Sequence, residues 1–189
     1  MKMHDLMTLF NVLSLGGFIP TKDVEVAIEA FANFYHQVTS KHQRRLRITI
    51  IDKGENQKHF AEFARALDIN QVLTIISCNQ QEGVEEFYAK SATILLPTRQ
   101  KLGMIIPEAL SFGLPVLSLE EEHTKENIDN SCGMLIRCKG REQSIEEFSR
   151  CLRILYFDPE ALKILKKGAF NQYEKNFTWA SKRSIRIGA

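Results

Sequence analysis

The sequence lacks any long hydrophobic run and any marked excess of charge of one sign. Its 189 residues include 25 Lys and Arg and 23 Asp and Glu, a formal net charge of +2. So small a net charge produces no strong field, and the chain is not expected to bind nucleic acid or anionic lipid. A membrane-spanning helix needs roughly 18 or more apolar residues in succession, and no stretch approaches that length. We therefore predict no membrane span.

Cysteine and histidine are also few and scattered. Cys78, Cys132, Cys138 and Cys151 show no CxxC spacing, and Cys78 and Cys138 fall in segments predicted to be strands. We expect buried, reduced thiols, as in a reducing cytosol, with no metal site and no cofactor. His123 follows a predicted strand, but no second histidine is paired with it, and we interpret it as a surface residue.

What the sequence does contain is a strand, loop, helix and strand between Thr93 and Leu119. Pro107 suits the first helical turn, where its missing N–H needs no partner. Glu108 suits the same turn because the amino end of a helix is electropositive. Gly103, in the preceding loop, would let the backbone approach a ligand, and helix amino ends bind anions. This layout is typical of a nucleotide-binding α/β unit.

Strands and helices alternate about six times along the chain. Apolar segments predict strands, in order, at 11–15, 46–52, 72–76, 93–96, 116–119 and 134–138. Apolar positions at helical spacing follow most of them. The first such helix, from Val24, is expected to close at the basic stretch Lys41–Arg47, and Glu120–Asn130 to form one short helix. The alternation predicts an α/β domain over 11–180, with a lead-in at 1–10 and a tail at 181–189.

Ligands of parallel sheets bind at the carboxyl ends of the strands. The loops that follow predicted strands are Gly16-Gly17, Asp52–Gly54, Ile76–Cys78 and 99–108. The cluster Arg44, Arg45 and Arg47 lacks the interleaved aromatic residues of a nucleic-acid site, so we interpret it as a solvated segment.

Five segments in order resemble the C-terminal half of a family 4 (group 1) glycosyltransferase. They are LGGFIPTKDVEVAIEAF, IIDKGENQKHFAEFARAL, VLTIISCNQQEGVEEFYAKSATILLPTR, LGMIIPEALSFGLPVLS and ENIDNSCGMLI, within a match from about Asn11 to Trp179. The resemblance implies a Rossmann-like three-layer αβα domain with a mostly parallel sheet, one half of the two-domain GT-B architecture.

The resemblance also implies a function. The domain would bind a UDP- or GDP-linked sugar for transfer to an acceptor hydroxyl, with retention of anomeric configuration and without a metal ion. An N-terminal acceptor-binding domain or a separate subunit would complete the enzyme, so this half alone is expected to be inactive. The expected setting is cytoplasmic polysaccharide biosynthesis, with any membrane association made through the other half.

Individual roles follow from the same resemblance. Lys22 would pair with the diphosphate and Glu108 would accept from the ribose hydroxyls. Gln100 could contact the sugar or be an ordinary loop residue. The other implied donor-binding residues are Gly16 and Gly17 near the diphosphate, Gly103, Met104 and Ile105 as amide donors, Ile76 and Ser77 along the base, and Asp52 and Gly54 at a turn near the cleft. Glu126 could contact the ligand or be an ordinary surface residue. Phe177-Thr178-Trp179 could pack toward a partner domain or serve as a local anchor.

Two departures from the family pattern leave alternatives open. Gln100 stands where a glutamate is usual, and Gly17 where an arginine is usual. A lost charge-assisted contact costs roughly 1.5–3 kcal/mol, about one or two decades of affinity. Arg99 or Lys101 could supply the cation instead. The chain could also be a degenerate scaffold partner of a glycosyltransferase or a nucleotide-sugar epimerase. A dehydrogenase is disfavoured because no GxGxxG follows a strand.

Overall fold

The computed structural model of the chain describes residues 9–78 and 84–178. These residues form one parallel sheet of six strands, in the order β3-β2-β1-β4-β5-β6. The strands are β1 (Phe10–Leu15), β2 (Leu46–Asp52), β3 (Leu73–Ser77), β4 (Thr93–Leu96), β5 (Val116–Leu119) and β6 (Gly133–Ile136). The predicted α/β class with a parallel sheet is confirmed, and each strand lies within two residues of its predicted bounds.

Eight helices connect and flank the strands in the described part of the chain. They are α1 (Thr21–His36), α2 (Ser40–Gln43), α3 (Gln57–Ala66), α4 (Glu85–Lys90), α5 (Ile105–Ser111), α6 (Glu122–Lys125), α7 (Arg141–Phe157) and α8 (Pro159–Asn176). Apolar side chains of α1, including Phe31 and Phe34, are fully buried against the sheet and α7. Helix α8 packs against α5.

Three details of the prediction are wrong. Cys78 is not in a strand, because β3 ends at Ser77, and it is only partly buried. The first helix does not reach the basic stretch, because Thr39 is extended (φ −69°, ψ 158°) and starts the separate helix α2. Cys138 is not in a strand, because β6 ends at Ile136, opposite Leu119, the last residue of β5. Cys138 is nevertheless buried, as are Cys132 and Cys151. Burial raises the pKa of the Cys132 and Cys151 thiols to about 11.

The order of the strands places a switch point between β1 and β4. The chain builds the sheet outward from β1 through β2 and β3, then returns to add β4 beside β1 and continues to β6. Loops that leave β1 and β4 therefore diverge toward opposite faces of the sheet. The crevice between such loops, outside the carboxyl ends of the strands, is where open α/β sheets bind ligands.

Candidate functional site

Two cavities open at the carboxyl edge of the sheet. The first, the apolar cavity, has a volume of about 300 Å³ and is lined by Leu15, Phe18, Val84, Tyr88, Lys101, Leu102, Gly103, Met104, Ile105 and Glu108. The second, the basic cavity, has a volume of about 340 Å³ and is lined by Pro20, Lys22, Asp23, Val26, Pro97, Arg99, Gln100, Leu119, Lys139, Gly140, Arg141 and Ser144.

The same two loops contribute to both cavities. The loop after β1 gives Phe18 to the apolar cavity and Pro20 to the basic cavity. The loop after β4 gives Gln100 to the basic cavity and Lys101 to the apolar cavity. Because consecutive residues line different cavities, the two lie side by side at the switch point.

Glu108 is the acidic group of the apolar cavity. The Tyr88 hydroxyl donates to Glu108 Oε2 at 3.4 Å, and the Tyr88 ring is 2% exposed and stacks on Phe112 at 5.6 Å between ring centroids. Burial raises the pKa of the Glu108 carboxyl above its usual 4.5, against the lowering effect of the bond from Tyr88. Glu108 thus presents acceptor oxygens to a largely apolar space.

The loop before α5 leaves backbone donors at the mouth of this cavity. Gly103 adopts a left-handed φ of +51°, and the Met104 side chain is 73% exposed. Within the described residues, the amides of Gly103 and Met104 donate to no other backbone group. Pro107 is the third residue of α5, which confirms its predicted place in the first helical turn.

The glycines after β1 have a structural reason for their small size. A Cβ at Gly16 would lie 2.8 Å from Asp52 Oδ1. Gly17 has a left-handed φ of +72°, and its Cβ would lie 2.9 Å from Cγ of Lys53. Asp52 is fully buried, and its carboxylate accepts from the Gly54 amide at 2.8 Å. The Asp52 carboxylate therefore holds its own turn, and the loop after β1 rests on that turn.

Two arginines of the basic cavity are held by neighbouring groups. Arg99 donates to the Cys138 carbonyl oxygen at 2.9 Å and forms an ion pair with Glu121. Arg141 forms an ion pair with Glu29 at 2.7 Å. It also donates to the carbonyl oxygen of Lys22, at 3.1 Å, which joins α7 to the start of α1.

The two lysines of the basic cavity differ from these arginines. Among the described residues, neither Lys22 nor Lys139 forms a side-chain hydrogen bond or an ion pair. Both lysines are exposed residues, and both line this cavity. Lysine charge is thus available to a ligand here, whereas the arginine charge is largely neutralised.

The structure places some of the predicted site residues in the two cavities and the others in neighbouring loops and element ends. Lys22 and Gln100 line the basic cavity, and Gly103, Met104, Ile105 and Glu108 line the apolar cavity. Gly16, Gly17, Asp52 and Gly54 lie in the two loops beside the cavities, and Ile76 and Ser77 lie at the end of β3, beyond β2. Glu126 is exposed at the end of α6 and lines neither cavity. The ligand-binding roles of all these residues remain predictions.

Sequence reasoning missed several lining residues. Phe18 and Tyr88 were missed because apolar and aromatic residues at such positions are typical of a core, although the position of Phe18 directly after Gly16-Gly17 was a usable signal. Lys139, just before α7, carried no motif. His123 also differs from expectation, because its Nε2 is buried and has no hydrogen-bond partner among the described residues.

The described ranges, 9–78 and 84–178, contain neither a cluster of metal-ligating residues nor a helix that could span a membrane. Within them, no three His, Cys, Asp or Glu residues are grouped so as to hold a metal ion. No helix there has the length and apolar character needed to cross a bilayer. Trp179 and the segment 79–83 lie outside the described residues.

Residues 7–172 match the family model described as "Glycosyl transferases group 1". A curated relative, an uncharacterized glycosyltransferase of Haemophilus influenzae, is 24% identical over 152 residues, which are 79% of this chain and 40% of that protein. The chain therefore spans less than half the length of that relative.

Two solved structures share the fold. One is the pneumococcal O-GlcNAc transferase GtfA in complex with UDP and GlcNAc, with a TM-score of 0.77 at 14% identity over 97% of this chain and 36% of that chain. The other is the C-terminal domain of LpcC, a group 1 glycosyl transferase family protein of Francisella tularensis. Its TM-score is 0.73 at 13% identity, over 90% of this chain and 87% of that chain.

Proposed function

Since the chain belongs to the group 1 glycosyl transferases, we propose that it binds a nucleoside-diphosphate sugar and takes part in transfer of the sugar to an acceptor hydroxyl. The observation that carries this proposal is the apolar cavity at the switch point, with one partly buried carboxylate among apolar walls. A nucleoside has the complementary chemistry. The flat faces of its base are largely apolar, and its ribose carries two adjacent hydroxyl donors.

Each part of the nucleotide has a suitable partner in this cavity. The ribose hydroxyls would donate to Glu108, whose side chain Tyr88 holds. The base would lie among apolar side chains such as Phe18 and Val84. The pneumococcal O-GlcNAc transferase GtfA, which shares the fold, is in complex with UDP, and this supports a nucleotide as the ligand of this chain.

The diphosphate would lie where the two cavities adjoin. The free amides of Gly103 and Met104 are suitable donors. Lys101 lines the apolar cavity and, among the described residues, has no ion-pair partner, whereas Arg99 is already engaged by Glu121. Lys101 is therefore the better substitute for the arginine that is usual at the position of Gly17. Lys22 would contact the diphosphate from the other side.

The chemistry proposed for this domain is electrostatic stabilisation of the departing diphosphate. Fixed cations and amide donors stabilise negative charge as it develops, without reorganisation. Lys22 and Lys101 would act in this way without a metal ion, Gln100 would contact the sugar, and transfer would retain the anomeric configuration. The acceptor would be held by an N-terminal domain or separate subunit in the cytoplasm, without which this domain would be inactive.

Calorimetric titration with UDP, GDP and ADP tests the proposal. We expect selective binding of one nucleotide, weakened about 10-fold to 150-fold by Glu108→Ala, since a hydrogen bond to a charged group contributes about 1.5–3 kcal/mol. Lys22→Ala should also weaken binding. Lys163→Ala is the matched control, because Lys163 lies on α8 and lines neither cavity. Its side chain is 77% exposed, and its contact with Glu160 is a long one, at 3.8 Å.

The opposite outcome is equally definite. If the folded chain binds none of the three nucleotides at millimolar concentration, the donor-site proposal is wrong. Gln100 and Gly17 would then mark loss of the site, and a non-catalytic scaffold would replace a transferase domain as the interpretation.

A further inference from the structure

The basic cavity holds more positive charge than a neutral sugar requires. Four cations line it, and Asp23 is the one carboxylate among its described lining residues. The two arginines are neutralised by carboxylates outside the lining, but Lys22 and Lys139 are not. Two lysines without an ion-pair partner among the described residues thus line one cavity, one at the beginning of α1 and the other in the loop before α7.

The position of this charge relates it to the proposed nucleotide. If the diphosphate lies at the amides of Gly103 and Met104 as proposed, the sugar attached to it would extend toward the basic cavity, which adjoins the apolar cavity at Gln100. Lys22 is near the β1 loop and can serve the diphosphate. Lys139 lies in the loop between β6 and α7, and β6 is three strands from β1 in the sheet order.

We propose that the basic cavity receives the transferred sugar and that this sugar carries a carboxylate, which pairs with Lys139. The inference rests on the proposed donor function. Gln100 agrees with it, because a neutral amide in this cavity can donate to a carboxylate, whereas a glutamate there would repel one. A sugar without charge would leave Lys139 unpaired.

Pairs of nucleotide sugars that differ by one carboxylate test this inference on the intact chain. The probes are UDP-glucose against UDP-glucuronate and GDP-mannose against GDP-mannuronate, by calorimetry. For the nucleotide that the chain prefers, we expect the sugar acid to bind roughly fivefold more tightly than the matching neutral sugar. This ratio is the contribution of a partly exposed ion pair. Lys139→Ala should abolish that ratio without changing the affinity for the nucleoside diphosphate, Lys139→Arg should retain it, and Lys163→Ala should leave it unchanged.

The outcomes separate the two levels of the argument. Binding of UDP or GDP with equal affinity for acid and neutral sugars overturns the carboxylate inference and leaves the donor function intact. Lys139→Ala could also weaken binding of the nucleoside diphosphate as much as it weakens binding of the nucleotide-linked sugar acid. That result assigns Lys139 to the diphosphate and also overturns the inference. Failure to bind any of UDP, GDP and ADP overturns both. The wild-type ratio alone decides the matter if a variant fails to fold.

Discussion

Replacing Gly17 by arginine, the residue usual there in the family, should destabilise the protein even though it adds a phosphate-binding cation. Gly17 has a φ of +72°, a left-handed conformation that costs an L-residue with a side chain about 1–2 kcal/mol. The new Cβ would also lie 2.9 Å from Cγ and 3.1 Å from the backbone nitrogen of Lys53. The substitution therefore strains the loop before any ligand is present.

The contact with Lys53 adds to this cost. The ammonium of Lys53 lies 4.9 Å from the centre of the Phe18 ring, an arrangement that contributes about 0.5–1 kcal/mol at exposed sites. Displacing the Lys53 side chain loses that contact, so Gly17→Arg should lower the free energy of unfolding by roughly 1.5–3 kcal/mol. An arginine–phosphate contact returns a similar amount, about 1.5–3 kcal/mol. The two effects should nearly cancel when the nucleotide is bound.

Urea denaturation without nucleotide measures the destabilisation caused by the substitution, and denaturation with saturating nucleotide measures how far the phosphate contact offsets it. In thermal denaturation, the melting temperature of free Gly17→Arg should fall by roughly 3–12 °C, since about 1 kcal/mol shifts a chain of this size by 2–4 °C. Gly17→Ala isolates the backbone and Lys53 terms. Gly103→Ala is the matched control, because Gly103 also has a positive φ but nothing lies within 4 Å of its Cβ position. If Gly17→Ala is as stable as the wild type, or loses less than Gly103→Ala, the reasoning fails.

Three further predictions concern other parts of the molecule. Nucleotide binding should weaken as the pH falls, starting above pH 4.5, because the pKa of Glu108 is raised and its protonated form loses acceptor capacity. In calorimetry, the affinity of Glu108→Gln for the nucleotide should depend less on pH. Gly168→Ala should cost more than about 3 kcal/mol in urea, because its Cβ would lie 1.7 Å from a backbone oxygen. Gly140→Ala should cost less than about 1 kcal/mol, because no atom lies within 4 Å of its Cβ position. Equal losses of stability in the two variants would contradict this explanation. Hydrogen bonds from Arg137 and Lys125 lower the pKa of Glu120 to about 2. The ionised Glu120 should therefore stabilise the fold fully above the pKa of about 4.3 that it has in the unfolded chain. This stabilisation should be lost as the pH falls toward 2. Thermal melts of Glu120→Gln should lack that part of the acid dependence.

The strands could be predicted closely because each is a short apolar run that ends where polar or glycine residues begin. Helix α2 could not, because it has four residues, none of them buried, and so shows no apolar periodicity. The end of β6 was missed for a different reason. Strand length there is set by the partner, since β5 stops at Leu119 and leaves nothing for residues beyond Ile136 to pair with.

The site could be predicted only as a set of loops at one edge. Sequence spacing does not show that Arg99 is engaged by Glu121, 22 residues later, or that the Asp52 carboxylate accepts from its own turn. It also does not show that Gln100 and Lys101, adjacent in sequence, line different cavities. Each of these facts depends on distances between separate loops, which the residue pattern does not contain.

The packing of α7 along α1 has a consequence for the synthesis of the protein on the ribosome. About 100 residues separate His36, at the end of α1, from Arg141, at the start of α7. At about 5–20 residues per second, the nascent chain waits roughly 5–20 s before the partner of α1 exists. During that interval the apolar side chains of α1 that α7 will cover are exposed to solvent or to a chaperone. Slower translation through residues 37–140 should therefore increase aggregation of the nascent chain, even though the finished domain is unchanged.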